Sequence, residues 1–157
     1  MEIEKKWLVK RENIPYDLSS LKSCEIEQYY LSFDPTVRLR KIDNAGCVLT
    51  VKSKVSAVSR NEFEFPVDLS VYDENSDKIC GRVIKKRRYF APAGGGITYE
   101  IDIFSGELEG LCYVEAEFPD EGSCLSFPMP SWALADVTDS TGYSNGDLAK
   151  FGMPHIL

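Results

Sequence analysis

Charged and apolar residues alternate along most of this chain with the two-residue period of a β-strand, in which successive side chains point to opposite faces. The opening MEIEKKW sets the pattern: Glu2, Glu4 and Lys6 share one face, Ile3, Trp7 and Val9 the other. Strands are predicted at 1–9, 26–33, 36–42, 47–54, 60–66, 82–90, 97–104 and 112–118, each rich in β-branched or aromatic residues and bounded by turn formers. Asp34-Pro35, Asn44-Ala45-Gly46, Gly94-Gly95-Gly96 and Gly106 mark turns. The connections are short, so neighbouring strands are expected to be antiparallel. Helical signals are fewer: a turn or short helix at 15–22, a helix across 67–80, pieces within 128–137, and 144–151, where Ser144 or Asn145 caps the start and Gly152 and Pro154 stop it. The expected fold is mainly β (α+β), an eight-stranded antiparallel β-barrel with a few flanking helices.

Seven of the eight strands carry one charged face. In VRLRKI, Arg38 and Arg40 oppose Val37 and Leu39; in LTVKSK, Lys52 and Lys54 oppose Leu49 and Val51; in RNEFEF, Arg60, Glu62 and Glu64 oppose Phe63 and Phe65. YEIDIF sets Glu100 and Asp102 against Tyr99, Ile101 and Ile103, and YVEAEF sets Glu115 and Glu117 against Val114, Ala116 and Phe118. In VIKKRRY, parity permits either Lys86 with Arg88 or Lys85 with Arg87. A single such face is ordinarily the wet side of a sheet. As a set these differ from an ordinary surface, because they hold almost no Ser, Thr, Asn or Gln and group charges of one sign by strand instead of interspersing them. They also balance: Glu2, Glu4, Glu62, Glu64, Glu100, Asp102, Glu115 and Glu117 stand against Lys6, Arg38, Arg40, Lys52, Lys54, Arg60, Lys86 and Arg88.

Composition narrows the chemistry. A chain of 157 residues with 43% hydrophobic and 27% charged residues is the size and make-up of one globular domain. No apolar run could span a bilayer and no signal-peptide pattern is present, so a cytoplasmic protein without membrane association is expected. Cys24, Cys47, Cys80, Cys112 and Cys124 are odd in number and form no C-x-x-C pair, which argues for reduced, mostly buried thiols. The single histidine, His155, leaves almost no room for histidine triads or histidine metal sites. A net charge of −7 argues against nucleic acid as a partner.

If the charged faces turn inward, the lumen has an acidic and a basic sector. Clustered carboxylates cannot all stay ionised at close range without cations between them. With only oxygen ligands on offer, Mg²⁺ or Mn²⁺ fits better than zinc. The basic sector suits a chain of phosphates, and the local field of a pocket, not net charge, decides whether an anion enters.

The pattern resembles the CYTH superfamily, the triphosphate tunnel metalloenzymes, whose signature is an N-terminal E-x-E-x-K strand, here Glu2-Ile3-Glu4-Lys5-Lys6. Similar segments follow over nearly the whole chain: EQYYL, VRLR, LTVKSK, RNEFEF, KRRY, YEIDIF, VEAEF and DVTDSTGYSNGDLA. The resemblance implies an eight-stranded tunnel acting on triphosphates with Mg²⁺ or Mn²⁺, and selects Lys86 and Arg88 as the inward pair. Glu2, Glu4 and Glu117 become the leading metal ligands, with Asp102 and Glu115 beside them. Lys6, Arg38, Arg40, Lys52, Lys54, Arg60, Lys86 and Arg88 become phosphate contacts. Glu62 or Glu64 would orient the attacking water, with Lys6 at the reacting phosphate. One departure is Gly142, where the family often has a basic residue before its Tyr-x-Asn.

The leading function is hydrolysis of inorganic tripolyphosphate, since the charged faces leave no aromatic pair to stack on a base. The alternatives are a class IV adenylate cyclase, a nucleoside or thiamine triphosphatase and, in another class, a non-catalytic polyphosphate-binding module. AGGGIT lacks the G-K-[ST] ending of a phosphate loop and reads as a hairpin turn. Inward charges would leave Trp7, Phe63, Phe65, Ile101 and Phe118 outside, an apolar skin for the connecting helices and a homodimer to cover.

Overall fold

The computed structural model describes residues 1–56 and 58–154. Eight antiparallel strands close into a barrel: β1 (Glu2–Leu8), β2 (Lys22–Phe33), β3 (Thr36–Ile42), β4 (Gly46–Lys54), β5 (Ser59–Val67), β6 (Cys80–Gly94), β7 (Ile97–Ser105) and β8 (Cys112–Glu117). Around the barrel the order is β1-β8-β7-β6-β2-β3-β4-β5: the meanders β2–β5 and β6–β8 meet at the β2–β6 seam, and β1 closes the barrel between β8 and β5. Each predicted strand is present, most of them extended by a residue or more at an end.

The β5–β1 seam is narrow. Glu2 pairs with Arg60 and Ile3 with Ser59, after which β5 leaves. The rest of that edge of β1 is taken by the tail of the chain, through a two-residue strand β9 (Ala135–Asp136) opposite Trp7 and Leu8. Val137 N donates to Lys6 O and Lys6 N donates to Thr138 Oγ1.

Helices are short. Of the predicted 67–80 helix, α1 (Leu69–Glu74) and a 3₁₀ turn at Ser76–Lys78 form; α3 (Asn145–Phe151) follows its predicted bounds, with Ser144 capping it. A 3₁₀ turn at Leu18–Ser20 lies within the predicted 15–22. The expectation of helix within 128–137 is not met. Pro128 and Pro130 carry no amide hydrogen to donate, and the helix forms upstream instead, as α2 (Glu121–Ser126), where Asp120 accepts from Ser123 N as its cap.

The core lies outside the barrel wall as well as at one end of its bore. Trp7, Ile101 and Phe118 point outward, as predicted, but the chain itself buries them: Trp7 (0% exposed) packs with Tyr99 and Phe127, and Ile14, Leu18, Leu21 and Trp132 complete the cover. Phe63 and Phe65 on β5 remain 63% and 52% exposed. The bore itself is stoppered by Leu8, Tyr30, Ile84, Phe104 and Tyr113 of the strands against Leu148 and Ala149 of α3. Replacing Trp7 by alanine empties the outer core and is expected to cost about 3–5 kcal/mol, whereas Leu125→Ser, at a site 71% exposed, stays within about 0.5 kcal/mol; urea denaturation of the two variants checks the difference.

Candidate active site

Barrel closure places the charged faces in the bore, and the register decides which charges meet. Across β1–β8, Glu4 stands directly opposite Glu117 and Lys6 opposite Glu115; across β7–β8, Glu100 stands opposite Glu115. Like charges in directly opposed cross-strand positions repel. The acidic pairs are therefore sites where a cation is wanted. A cavity of about 290 Å³ opens among them, lined by Glu2, Glu4, Glu62, Glu64, Glu100, Glu115 and Glu117 together with Arg38, Arg40, Lys52, Arg88 and Asn145. Glu2, Glu4 and Glu117 each bring a carboxylate oxygen within 4.8 Å of the other two. This all-oxygen trio fits a hard divalent cation such as Mg²⁺ or Mn²⁺.

The carboxyls of the cavity divide into two classes. Burial, reinforced by Glu115 and Glu2, pushes Glu4 up to about 8. Burial and hydrogen bonds with Glu2 and Glu64 push Glu62 up to about 9, and burial with Glu100, Glu2 and Glu115 pushes Glu117 up to about 7. Glu2 moves the other way: burial works against ionisation, but Lys52 Nζ at 3.0 Å and the Glu62 hydrogen bond hold it below the usual carboxylate range. Glu64 is likewise held down, by its hydrogen bond with Glu62. The proton in this trio thus rests on Glu62, between two carboxylates.

The basic wall is built on β3, β4 and β6. Arg38 is nearly buried, donates to Thr50 Oγ1 at 3.2 Å, and keeps an Nε with no partner among the described residues. Arg40 is positioned by Gln28, whose Oε1 accepts from Nε at 2.8 Å; burial and the Arg38 and Arg88 guanidiniums push Arg40 down to about 9, leaving it charged at neutral pH. Arg88 grips Asp102 with two hydrogen bonds, Nε to Oδ1 at 2.7 Å and Nη2 to Oδ2 at 2.9 Å, and reaches Glu100 with Nη1 at 2.8 Å.

Five expected site residues are placed elsewhere than on this cavity wall. Asp102 is fully buried, both oxygens engaged by Arg88 and Lys86, which leaves none for a metal. Lys86 is the predicted inward partner of Arg88, but at 0% exposure it donates to Asp102 at 2.7 Å and to Asn145 Oδ1 at 3.2 Å and lies behind the wall. Lys54 and Arg60 line a second cavity, of about 340 Å³, bounded by residues 137–147 of the tail. Lys6 lies on that same side, where it meets Glu115 at 3.5 Å. Glu115 lines the metal-side cavity; burial opposes its charge, but Lys6 and Arg88 hold it well below the ordinary range. The residue not foreseen is Asn145, first in α3, which lines both cavities. Its signal is the Tyr143-Ser144-Asn145 segment, whose sequence pattern points to a helix cap and to the charge missing at Gly142.

The CYTH domain family matches residues 1–123. Two inorganic triphosphatases are similar over nearly the whole chain: one from Acetivibrio thermocellus, 36% identical over 95% of this chain and 93% of its own, and one from Nitrosomonas europaea, 32% identical over 94% and 96%. The crystal structure of the inorganic triphosphatase NE1496 superposes with a TM-score of 0.69 at 31% identity, covering 96% of this chain and 95% of that one. A structure of HpAC1 from Hippeastrum, at 19% identity and a TM-score of 0.63 over 78% and 81%, shares the fold.

A carboxyl whose folded pKa is raised keeps a proton that the unfolded chain has released, so the stability it contributes is complete below the ordinary range and is lost as pH rises. Between pH 5 and 7, Glu4, Glu62, Glu100 and Glu117 all act in that direction, while the groups held low titrate beneath this window and Lys86, pushed down by burial to about 7, begins to act the other way only near its upper end. The metal-free protein is therefore expected to lose several degrees of melting temperature from pH 5 to 7. Added Mn²⁺ should restore them, more at pH 7 than at pH 5, because ligands must be deprotonated to bind; scanning calorimetry with and without the metal reads both.

Proposed function

Because the chain belongs to the CYTH domain family, we propose that it is a metal-dependent hydrolase that cleaves inorganic tripolyphosphate to pyrophosphate and phosphate inside its charged tunnel. The observation that carries this reading is the facing of Glu2, Glu4 and Glu117 by Arg38, Arg40, Lys52 and Arg88 across one cavity. The triphosphatase relatives support it, and the absence of an aromatic side chain from that cavity's lining favours a substrate without a base.

Glu2, Glu4 and Glu117 hold the divalent cation, for which Mg²⁺ and Mn²⁺ are the candidates. When bound, it supplies charge neutralisation at the phosphate oxygens and acidifies a water. Arg38, Arg40 and Arg88 are fixed by Thr50, Gln28 and Asp102, so their remaining donors are aimed before substrate arrives. Preorganised cations of this kind favour the charge that develops on a transferring phosphoryl group and need no rearrangement to do so. Glu62 is the residue to accept the proton of the attacking water: its raised pKa makes it a stronger base than an ordinary glutamate once it is ionised. Glu64, hydrogen-bonded to it, fixes its orientation.

The five cysteines stand unpaired, which fits a reducing compartment, and we place the protein in the cytoplasm. No helix among the described residues is long and apolar enough to cross a membrane. The exposed Phe63 and Phe65 are assigned to a second copy of the chain; a single species of monomer mass in sedimentation at micromolar concentration would remove that part of the reading. For the reaction, Glu4→Gln and Glu117→Gln should each lower Mg²⁺-dependent phosphate release from tripolyphosphate by at least a hundredfold while circular dichroism stays unchanged. Near-full activity in both would overturn the metal assignment. Glu62→Gln should lower kcat more than it raises KM, and cyclic AMP formed from ATP would replace the hydrolase reading altogether.

A further inference from the structure

Four residues line both the metal-side cavity and the tail-side cavity: Glu4, Arg38, Lys52 and Asn145. The first three stand on β1, β3 and β4 and are ionisable, whereas Asn145 comes from the first turn of α3 and is neutral. Glu4 is accounted for by the metal trio, and Arg38 and Lys52 by the basic wall. Asn145 has no such role, yet it alone carries the tail of the chain to the wall of the metal-side cavity.

The orientation of its amide follows from what lies behind it. Lys86 Nζ donates to Asn145 Oδ1 at 3.2 Å and to Asp102 Oδ2 at 2.7 Å, and Lys86 is 0% exposed. An ammonium has donors and no acceptor, so the side of the amide turned towards it is the oxygen. The two Nδ2 hydrogens therefore point away from Lys86, and among the described residues no acceptor takes them. Nor is the side chain used to cap its own helix: Ser144 does that, its Oγ accepting from Asp147 N at 3.0 Å. Asp102 has both oxygens engaged by Arg88 and Lys86, which fixes Lys86 in turn. What remains is an unspent neutral donor between the carboxylate cluster and the guanidinium wall. An amide there can donate to a phosphate oxygen without entering an ion pair with Glu4, as a lysine would.

We propose that Asn145 contacts the substrate, its Nδ2 donating to an oxygen of the triphosphate where the two cavities meet, and that Lys86 is the positioning residue that aims it. This pair of roles rests on the triphosphatase reading and deepens it. Lys86 then serves the substrate at one remove, from behind the wall, and its charge is spent on holding an amide rather than a phosphate. The tail, which has Gly142 in place of a cation, gains its polar contact with the substrate three residues later.

The test compares kcat and KM for tripolyphosphate, with Mg²⁺ or Mn²⁺, among the wild type, Asn145→Ala, Asn145→Asp and Ser144→Ala, with melting temperatures taken in parallel. Asn145→Ala should lower kcat/KM roughly tenfold to a hundredfold, the worth of one hydrogen bond to a charged oxygen, and mostly through KM. Asn145→Asp keeps an acceptor for Lys86, and with it the melting temperature, but turns a carboxylate oxygen on the substrate and should lose more. Ser144→Ala removes the cap of α3 and leaves the donor; it should lower the melting temperature and keep kcat/KM within about twofold. Lys86→Gln, alone and combined with Asn145→Ala, reads the positioning role: once the amide is gone, its loss should cost kcat/KM little more. Lys86→Met stands in where the glutamine variant does not fold. Full activity in Asn145→Asp, or a loss in Ser144→Ala as large as that in Asn145→Ala, overturns the contact and leaves the triphosphatase reading standing. Losses that multiply in the double variant overturn the role given to Lys86. Failure of the wild type to cleave tripolyphosphate at all would instead sink the reading beneath both.

Discussion

Two cations on one strand close on one carboxylate of the next, and the tunnel depends on that contact. Lys86 and Arg88 of β6 hold Asp102 of β7 where no water reaches it. A buried pair gains little over a well-packed apolar substitute, but removing one member strands the others and typically costs about 3–5 kcal/mol. The triad therefore acts less as glue than as a register pin: a slip of one residue along β6 would turn both cations to the outer face. With β6 and β7 so fixed, Arg88 is presented to the cavity, and Lys86 reaches on to Asn145 and ties the stopper helix to the barrel.

The same arithmetic of charge explains why the rest of the bore is not neutralised internally. Lys52 pairs with Glu2 and Lys6 lies 3.5 Å from Glu115, but Glu4 and Glu117 are left facing each other, Glu62 is hydrogen-bonded to Glu2 and Glu64, and all three take up protons. Packing the interior with apolar residues would have been the easier route to a stable barrel. The unmatched carboxylates are a cost in stability, consistent with the proposed ligand-binding role, and they sit beside Arg38 and Arg40, which have no carboxylate partner at hydrogen-bond distance among the described residues.

Much of this could be read in the sequence because alternation reports faces directly. Once seven strands carry charge on one side, only closure with that side inward gives Trp7 and Ile101 somewhere to pack. Alternation does not report depth along the bore. Lys86 and Arg88 have the same parity, yet one is sealed behind the wall and the other lines the cavity, because the stopper from α3 and the loop at Leu108–Leu111 fills the barrel on the Ile84 side. Nor could it show that β5 would part from β1 after two pairs, which is what moves Lys54 and Arg60 to the tail side. No helix forms within 128–137 for a local reason: Pro128 and Pro130 interrupt it, while the capping signal at Asp120 sits beside Gly122, a poor helix former.

The divided edge of β1 carries a consequence for how the molecule keeps itself apart from its neighbours. Residues 2 and 3 are paired by β5 and residues 6 to 8 by the tail, so a segment remote in sequence completes the hydrogen bonding of the first strand. A fully closed barrel has no edge to offer, but here the edge of β1 beyond its two pairs with β5 is covered only while the tail is in place. With the tail detached, the backbone of Lys6 to Leu8 becomes an open edge flanked by apolar side chains, the kind of template on which another chain can add a strand. The segment that walls the second cavity is thus also the guard against self-association of an all-antiparallel sheet.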